Sequence, residues 1–169
     1  MNIGKAFERD FSTSTPKDVL LYRIPDQAQS FGGGNLRFSA KSPFDFLMWN
    51  PKYKTLYALE LKTVKGKSIS FEREKEDNGV IHKHQIDSLN KWFEYGGIVC
   101  GFIIEFREIE KTIFISINEF NKLSGFLNKK SFNINDLKTN DIKYFIINQN
   151  KKRTRFSYDI NSFLENIGA

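Results

Sequence analysis

Asp45, then fourteen residues, then Glu60-Leu61-Lys62, with Gln85 further on, are the residue types in this chain best suited to chemistry. Breaking a phosphodiester asks for carboxylates that hold a divalent cation and for a protein cation beside the attacking water. Asp45 and Glu60 would supply hard oxygen ligands to Mg²⁺, with Mn²⁺ as a substitute, since such ions keep several waters and accept phosphate oxygens. The backbone carbonyl of Leu61 lies between the two functional positions and is a further candidate ligand. Lys62 would orient or activate water and offset charge building on the phosphate. Gln85 could orient Lys62 or a phosphate; the competing reading is a helix-surface amide. Glu8 could ligate the metal directly or through water, against a solvated carboxylate on the first helix.

Such a set needs two adjacent strands with a helix behind them. Residues 44–49 and 55–62 read as those strands, joined by the turn Asn50-Pro51-Lys52-Tyr53. Side chains alternate along a strand, so Tyr57, Leu59 and Leu61 share one face while Leu56, Ala58, Glu60 and Lys62 share the other. In the first strand Phe44, Phe46 and Met48 alternate with Asp45, Leu47 and Trp49. An Asp among so many aromatics is costly to desolvate unless a cation or donor meets it. A bare Glu-x-Lys is commonplace; the Asp, the apolar strands and the downstream helix turn the reading toward a metal site.

Around this centre the spacing predicts a helix over 3–12, a strand over 19–24 broken by Pro25, and a loop or hairpin from Asp26 to Asn35 that ends in three glycines. A charged, poorly ordered stretch is expected from Glu72 to Asn78. A helix over 83–95 follows, stopped by Gly96-Gly97. Strands over 98–106 and 111–117, a helix near 118–127, strands over 143–148 and 154–158 around a basic turn, and a last helix after Asp159 complete the reading.

With 169 residues, 17 Phe and a net charge of +6, the chain reads as one domain, 1–169, with a dense core and a leaning toward polyanions. The single cysteine, Cys100, lies in an apolar run and reads as a buried small hydrophobe in a reducing compartment. No signal peptide or membrane span is legible, so a cytoplasmic protein without membrane contact is expected.

Other residues are weighed more briefly. His82-x-His84 invites a metal-pair reading, but two histidines two apart on a helix do not share a face, which leaves a phosphate contact or no role. Lys41 at the cleft rim, Arg37, Lys65 and the basic run with Lys152, Arg153 and Arg155 are candidate DNA contacts, the last group as a backbone clamp. Tyr22, Trp49, Trp92 and Tyr95 read as core or interface residues.

From Lys41 to Phe106 the chain resembles the RecU group of Holliday-junction resolvases within the PD-(D/E)XK nuclease superfamily. The residues that carry this are Lys41-Ser42-Pro43-Phe44-Asp45-Phe46, Ala58-Leu59-Glu60-Leu61-Lys62-Thr63, Ser70-Phe71, His84-Gln85-Ile86, Gly96-Gly97-Ile98 and Phe102-Ile103-Ile104. Glu8 matches an acidic residue on the family's first helix. The resemblance implies an α/β (α+β) fold with a restriction-endonuclease-like central mixed sheet flanked by helices, a stalk-like projection at about 25–40, and a homodimer acting on branched DNA. It also implies paired symmetric nicks in four-way junctions. Pro43-Phe44 depart from the small polar residues usual before the catalytic Asp, and the stalk segment has few basic residues. Two other readings stay open: a duplex DNA endonuclease of restriction or phage type, and a non-catalytic DNA-binding recombination partner.

Overall fold

The computed structural model describes residues 2–25 and 41–168. Its elements run α1 (Ile3–Ser14), β1 (Leu20–Arg23), β2 (Phe46–Asn50), β3 (Thr55–Val64), β4 (Ser68–Ser70), α2 (Lys83–Glu94) and β5 (Ile98–Phe106). They continue with β6 (Lys111–Ser116), α3 (Ile117–Phe126), β7 (Ser131–Asn133), α4 (Ile134–Thr139), β8 (Phe145–Ile147), β9 (Gln149–Lys151), β10 (Phe156–Tyr158) and α5 (Ile160–Gly168). The expected stalk, its glycines and Arg37 lie outside the described residues, apart from Pro25.

Six strands form one sheet in the order β1-β2-β3-β5-β6-β8. Among the described residues only β3 and β5 are parallel in it, and its other pairings are antiparallel. A parallel pair needs a crossover, and the β4–α2 segment supplies it. Helices cover both faces of this mixed α+β sheet. Ile86 and Leu89 of α2, Phe120 and Leu123 of α3, and Ile134 and Leu137 of α4 pack one side, on Ala58, Phe102 and Ile104. Phe7 and Phe11 of α1 and Phe163 of α5 pack the other, on Phe46, Tyr57, Leu59 and Leu61. The alternation read along β3 is therefore the alternation of two cores. Burial on both faces also explains why β5 is apolar almost throughout.

Four expectations change. Phe44 precedes β2 and leaves its alternation, packing edge-on against Trp92 at 5.0 Å on the α2 side. The β4–β7 pair and α4 were not anticipated, because three-residue strands and a six-residue helix are too short to show a period. The stretch Glu72–Asn78 is pinned rather than poorly ordered: Asp77 accepts from the N–H groups of Arg73 (2.9 Å) and Glu74 (3.1 Å). Arg73 also donates to the Leu127 carbonyl at 2.6 Å. Finally, of the four aromatics read as core or interface, half-buried Trp92 packs on a core while Tyr22, Trp49 and Tyr95 are exposed, which removes the core reading for these three.

Candidate active site

Asp45 sits immediately before β2, with its peptide held on both sides. Its N–H donates to the Leu59 carbonyl (3.1 Å), and its carbonyl accepts from the Ile24 N–H (2.8 Å). The β2–β3 ladder pairs Phe46 with Leu59 and goes no further, while β3 continues to Val64. Past that point the Leu61 N–H meets the Asp45 side chain, donating to Oδ2 at 2.8 Å. N–H and C=O of one strand residue point to the same edge, so the Leu61 carbonyl also faces the side where β2 has ended. The early end of β2 opens the cleft.

Glu60 and Lys62 point to the α2 side, as the alternation requires. Lys62 Nζ lies 3.0 Å from Glu60 Oε1. Gln85 Nε2 donates to the same oxygen, and Gln85 Oε1 accepts from the His82 N–H at 3.0 Å. Gln85 is buried. It fixes Glu60, not Lys62, and it is no surface amide.

These groups line one cleft of about 590 Å³ together with Glu8, Leu61, Thr63, His82 and Arg107. Glu8 Oε2 pairs with Arg23 Nε at 2.7 Å and reaches the other carboxylates through its charge. Burial pushes the Asp45 carboxyl up to about 6, with Glu8 adding to the rise and the Leu61 N–H opposing it. Burial likewise raises Glu60 to about 8, reinforced by the negative charge of Asp45 and only partly relieved by Lys62. Two carboxylates are thus gathered where the protein supplies too little positive charge for both.

That deficit and the all-oxygen donor set fit a hard divalent cation. Among the described residues no three of His, Cys, Asp and Glu gather closely enough to enclose an ion by themselves. Two carboxylates, with the Leu61 carbonyl, are what remain. Mg²⁺ is commonly held in that way, since it keeps waters and shares its sphere with phosphate.

Three features escaped the sequence reading or change it. His82 is the N-cap of α2 in extended conformation, so its ring stacks on that of His84 at 5.6 Å and 16°. The two do share a face. His82 Nδ1 lies 2.7 Å from Glu72 Oε1. Burial alone would raise the Glu72 carboxyl, but His82 and the N–H groups of Lys83 and Gly79 outweigh it and hold it at about 2. An ionised carboxylate only accepts, which places the proton on Nδ1 and leaves Nε2 available. Gly79 is required here: a side chain on it would fall 2.6 Å from the Phe71 carbonyl carbon. The pattern His82-x-x-Gln85, a polar N-cap with Gln three residues on, was the available signal. Arg107 follows β5 and lines the cleft, and its Nε is buried without a hydrogen-bond partner among the described residues. No spacing marks such an arginine; only the fold brings it in.

The remaining candidates lie elsewhere. Lys41 and Lys65 are exposed and do not line the cleft. Lys41 is near enough to His84 for its charge to be felt there. Lys152, Arg153 and Arg155 line a separate pocket. Cys100 is buried and its thiol pushed up to about 12 by that burial, so it is inert at neutral pH. Among the described residues no helix is long and apolar enough to cross a membrane.

No protein-family model matches the chain. It is similar to the SPbeta prophage-derived uncharacterized protein YotM of Bacillus subtilis strain 168, with 36% identity over 121 residues. That match takes in 70% of this chain and 58% of the relative, so the chain spans little more than half of the relative's length. Among solved structures it is similar to Archaeoglobus fulgidus Hjc, a Holliday junction resolvase from an archaeal hyperthermophile. The TM-score is 0.47 and the identity 14%, over 80% of this chain and 93% of that one.

Proposed function

We propose that this chain is a metal-dependent, structure-selective DNA endonuclease, a RecU-type resolvase that opens four-way junctions by paired symmetric nicks as a homodimer. The observation that carries the chemistry is the meeting of Asp45 and Glu60 with Lys62 in one cleft, where β2 stops and β3 runs on. Asp45, Glu60 and the Leu61 carbonyl would hold Mg²⁺ or Mn²⁺. Such an ion polarises a phosphate oxygen and makes its water a better nucleophile.

The chain's own residues do the rest. Gln85 and Lys62 fix one oxygen of Glu60 and so leave Oε2 for a ligand. The Lys62 ammonium stands where it can orient water and offset charge on the phosphate. Arg107 brings a guanidinium whose buried Nε lacks an acceptor, and a phosphate oxygen would satisfy it. His82, its Nδ1 held by Glu72, offers Nε2 to the same space. Glu8 tunes the two carboxylates electrostatically. Junction preference and the homodimer rest on the resemblance from Lys41 to Phe106, since a two-fold symmetric substrate suits a two-fold symmetric enzyme.

The test is cleavage of a labelled four-way junction and of linear duplex with Mg²⁺ or Mn²⁺, beside Asp45→Asn. Paired symmetric nicks in the junction alone, lost in the variant, are expected. Equal cutting of linear duplex would replace the resolvase by a duplex endonuclease. Tight junction binding with no cutting by either protein would leave only an architectural DNA-binding role.

A further inference from the structure

A second pocket lies against the other side of α1. It encloses about 390 Å³ between that helix and the β9–β10 hairpin, and is lined by Arg9, Asp10 and Thr13 from the helix and Lys152, Arg153 and Arg155 from the hairpin turn. Lys152, Arg153 and Arg155 thus face one carboxylate, Asp10, among the described residues, and that carboxylate is engaged: Arg155 Nη1 lies 3.3 Å from Asp10 Oδ1. The contact falls short of a hydrogen bond in geometry, so Nη1, though ion-paired with Asp10, has no hydrogen-bond acceptor among the described residues. A buried guanidinium N–H with no acceptor is an energetic cost that an incoming anion removes.

The walls are fixed in place. The Tyr158 N–H donates to Ser14 Oγ at 3.0 Å, tying β10 to the end of α1. The Tyr158 ring meets Phe7 edge-on at 5.4 Å, and its hydroxyl donates to buried Glu105 at 2.7 Å. Glu105 also accepts from Thr63 Oγ1 at 2.6 Å, and Thr63 lines the active-site cleft. The turn itself is closed by the Lys152 N–H on the Arg155 carbonyl at 2.7 Å. The basic turn is therefore docked on the same elements that build the cleft, not a loose solvated run.

Resting on the nuclease reading above, we infer that this pocket seats one backbone phosphate of the DNA strand held in the active-site cleft. Glu8 lines the cleft and Arg9, the next residue, lines the pocket. Consecutive helical residues point about 100° apart, so α1 is the partition between them. A helix is about 10 Å across, so the seated phosphate belongs to a nucleotide close to the scissile one on the same strand. Guanidinium forks match phosphate oxygens in pairs. The contact sets register and affinity, not sequence preference.

The test is duplex binding by fluorescence anisotropy in EDTA across a range of NaCl concentrations, comparing wild type with Lys152→Ala/Arg153→Ala. Both residues are exposed, so folding is not at stake. Losing one phosphate contact is expected to flatten the slope of log affinity against log salt by about 0.9, or about eightfold in affinity at 0.1 M salt. A charge-matched control, Lys91→Ala/Lys138→Ala on helices of the opposite face, should keep the wild-type slope. In a scan of single neutral methylphosphonates, one position should weaken wild type more than the double variant, in which Arg155 remains. An unchanged slope in the double variant, or an equal loss in the control, overturns the assignment. Because no metal is present, the result stands apart from whether the cleft cuts.

Discussion

Glu60 and Glu72 stand at the two ends of one connection, are 3% and 7% exposed, and are driven in opposite directions. Glu60 shares its cleft with Asp45 and Glu8 and is raised to about 8. Glu72, near the start of α2, accepts from His82, from the Lys83 N–H at 2.8 Å and from the Gly79 N–H at 3.3 Å, and is held at about 2. The same helix serves both, through Gln85 at one carboxylate and the Lys83 N–H at the other. A buried carboxylate that the protein has fully satisfied is architecture, while one left short of positive charge marks where a cation from outside would be welcome. Glu72 builds the frame that presents His82 and Gln85; Glu60 and Asp45 are left with their charge uncompensated.

The comparison breaks most directly at Asp45. Replacing it with Asn should lower single-turnover cleavage by roughly 10³-fold, since loss of a metal-ligand charge removes several kcal/mol of transition-state stabilisation. Gln85→Ala leaves the ligands in place but frees Glu60 to turn. A loss of about 10–100-fold, largely recovered by raising the Mn²⁺ concentration, is expected.

On the structural side, Glu72→Gln keeps one acceptor oxygen but puts an NH2 where the other was, so a donor among the Lys83 N–H, the Gly79 N–H and His82 loses its acceptor, and the fold should be destabilised by about 1–3 kcal/mol in denaturant titration. The Glu72 carboxyl lies below its ordinary value, so its stabilisation is complete above pH 4.5 and lost as pH falls toward 2. The gap between wild type and variant should close over that window.

The smallest effect has the opposite sign. Asp45 is raised from 3.8 to about 6, so its ionisation opposes folding as pH rises through that interval. In EDTA at pH 8, Asp45→Asn should be more stable than wild type by about 0.5–2 kcal/mol, as expected at a site where stability is traded for function. At pH 4 the two should melt together. Equal melting at both values would remove the electrostatic deficit from the account.

Much of this was legible in the sequence because strand alternation is strict. Glu60 and Lys62 had to share a face, and Gly96-Gly97 had to stop α2, both glycines taking positive φ. What could not be read was which partner each polar group takes. Gln85 finds Glu60 only because β3 and β5 run parallel with α2 crossing between them, a relation no local pattern carries. Glu72 looked like one more charge in a charged run, yet the β4–β7 pair and the bridge from Phe71 to Ile81 bury it. The histidine pair was misjudged because helical spacing was applied to an N-cap, where the backbone is extended. Arg107 became visible only through the burial of its Nε.

The measurement that bears most directly on the central claim is Mn²⁺-dependent nicking of labelled DNA by wild type, Asp45→Asn and Glu72→Gln in parallel, each first shown to be folded. The account predicts nicking by wild type and by Glu72→Gln, and none above background by Asp45→Asn. Nicking by Asp45→Asn at the wild-type rate would contradict it, and the cleft where β2 ends beside β3 would no longer be the catalytic centre.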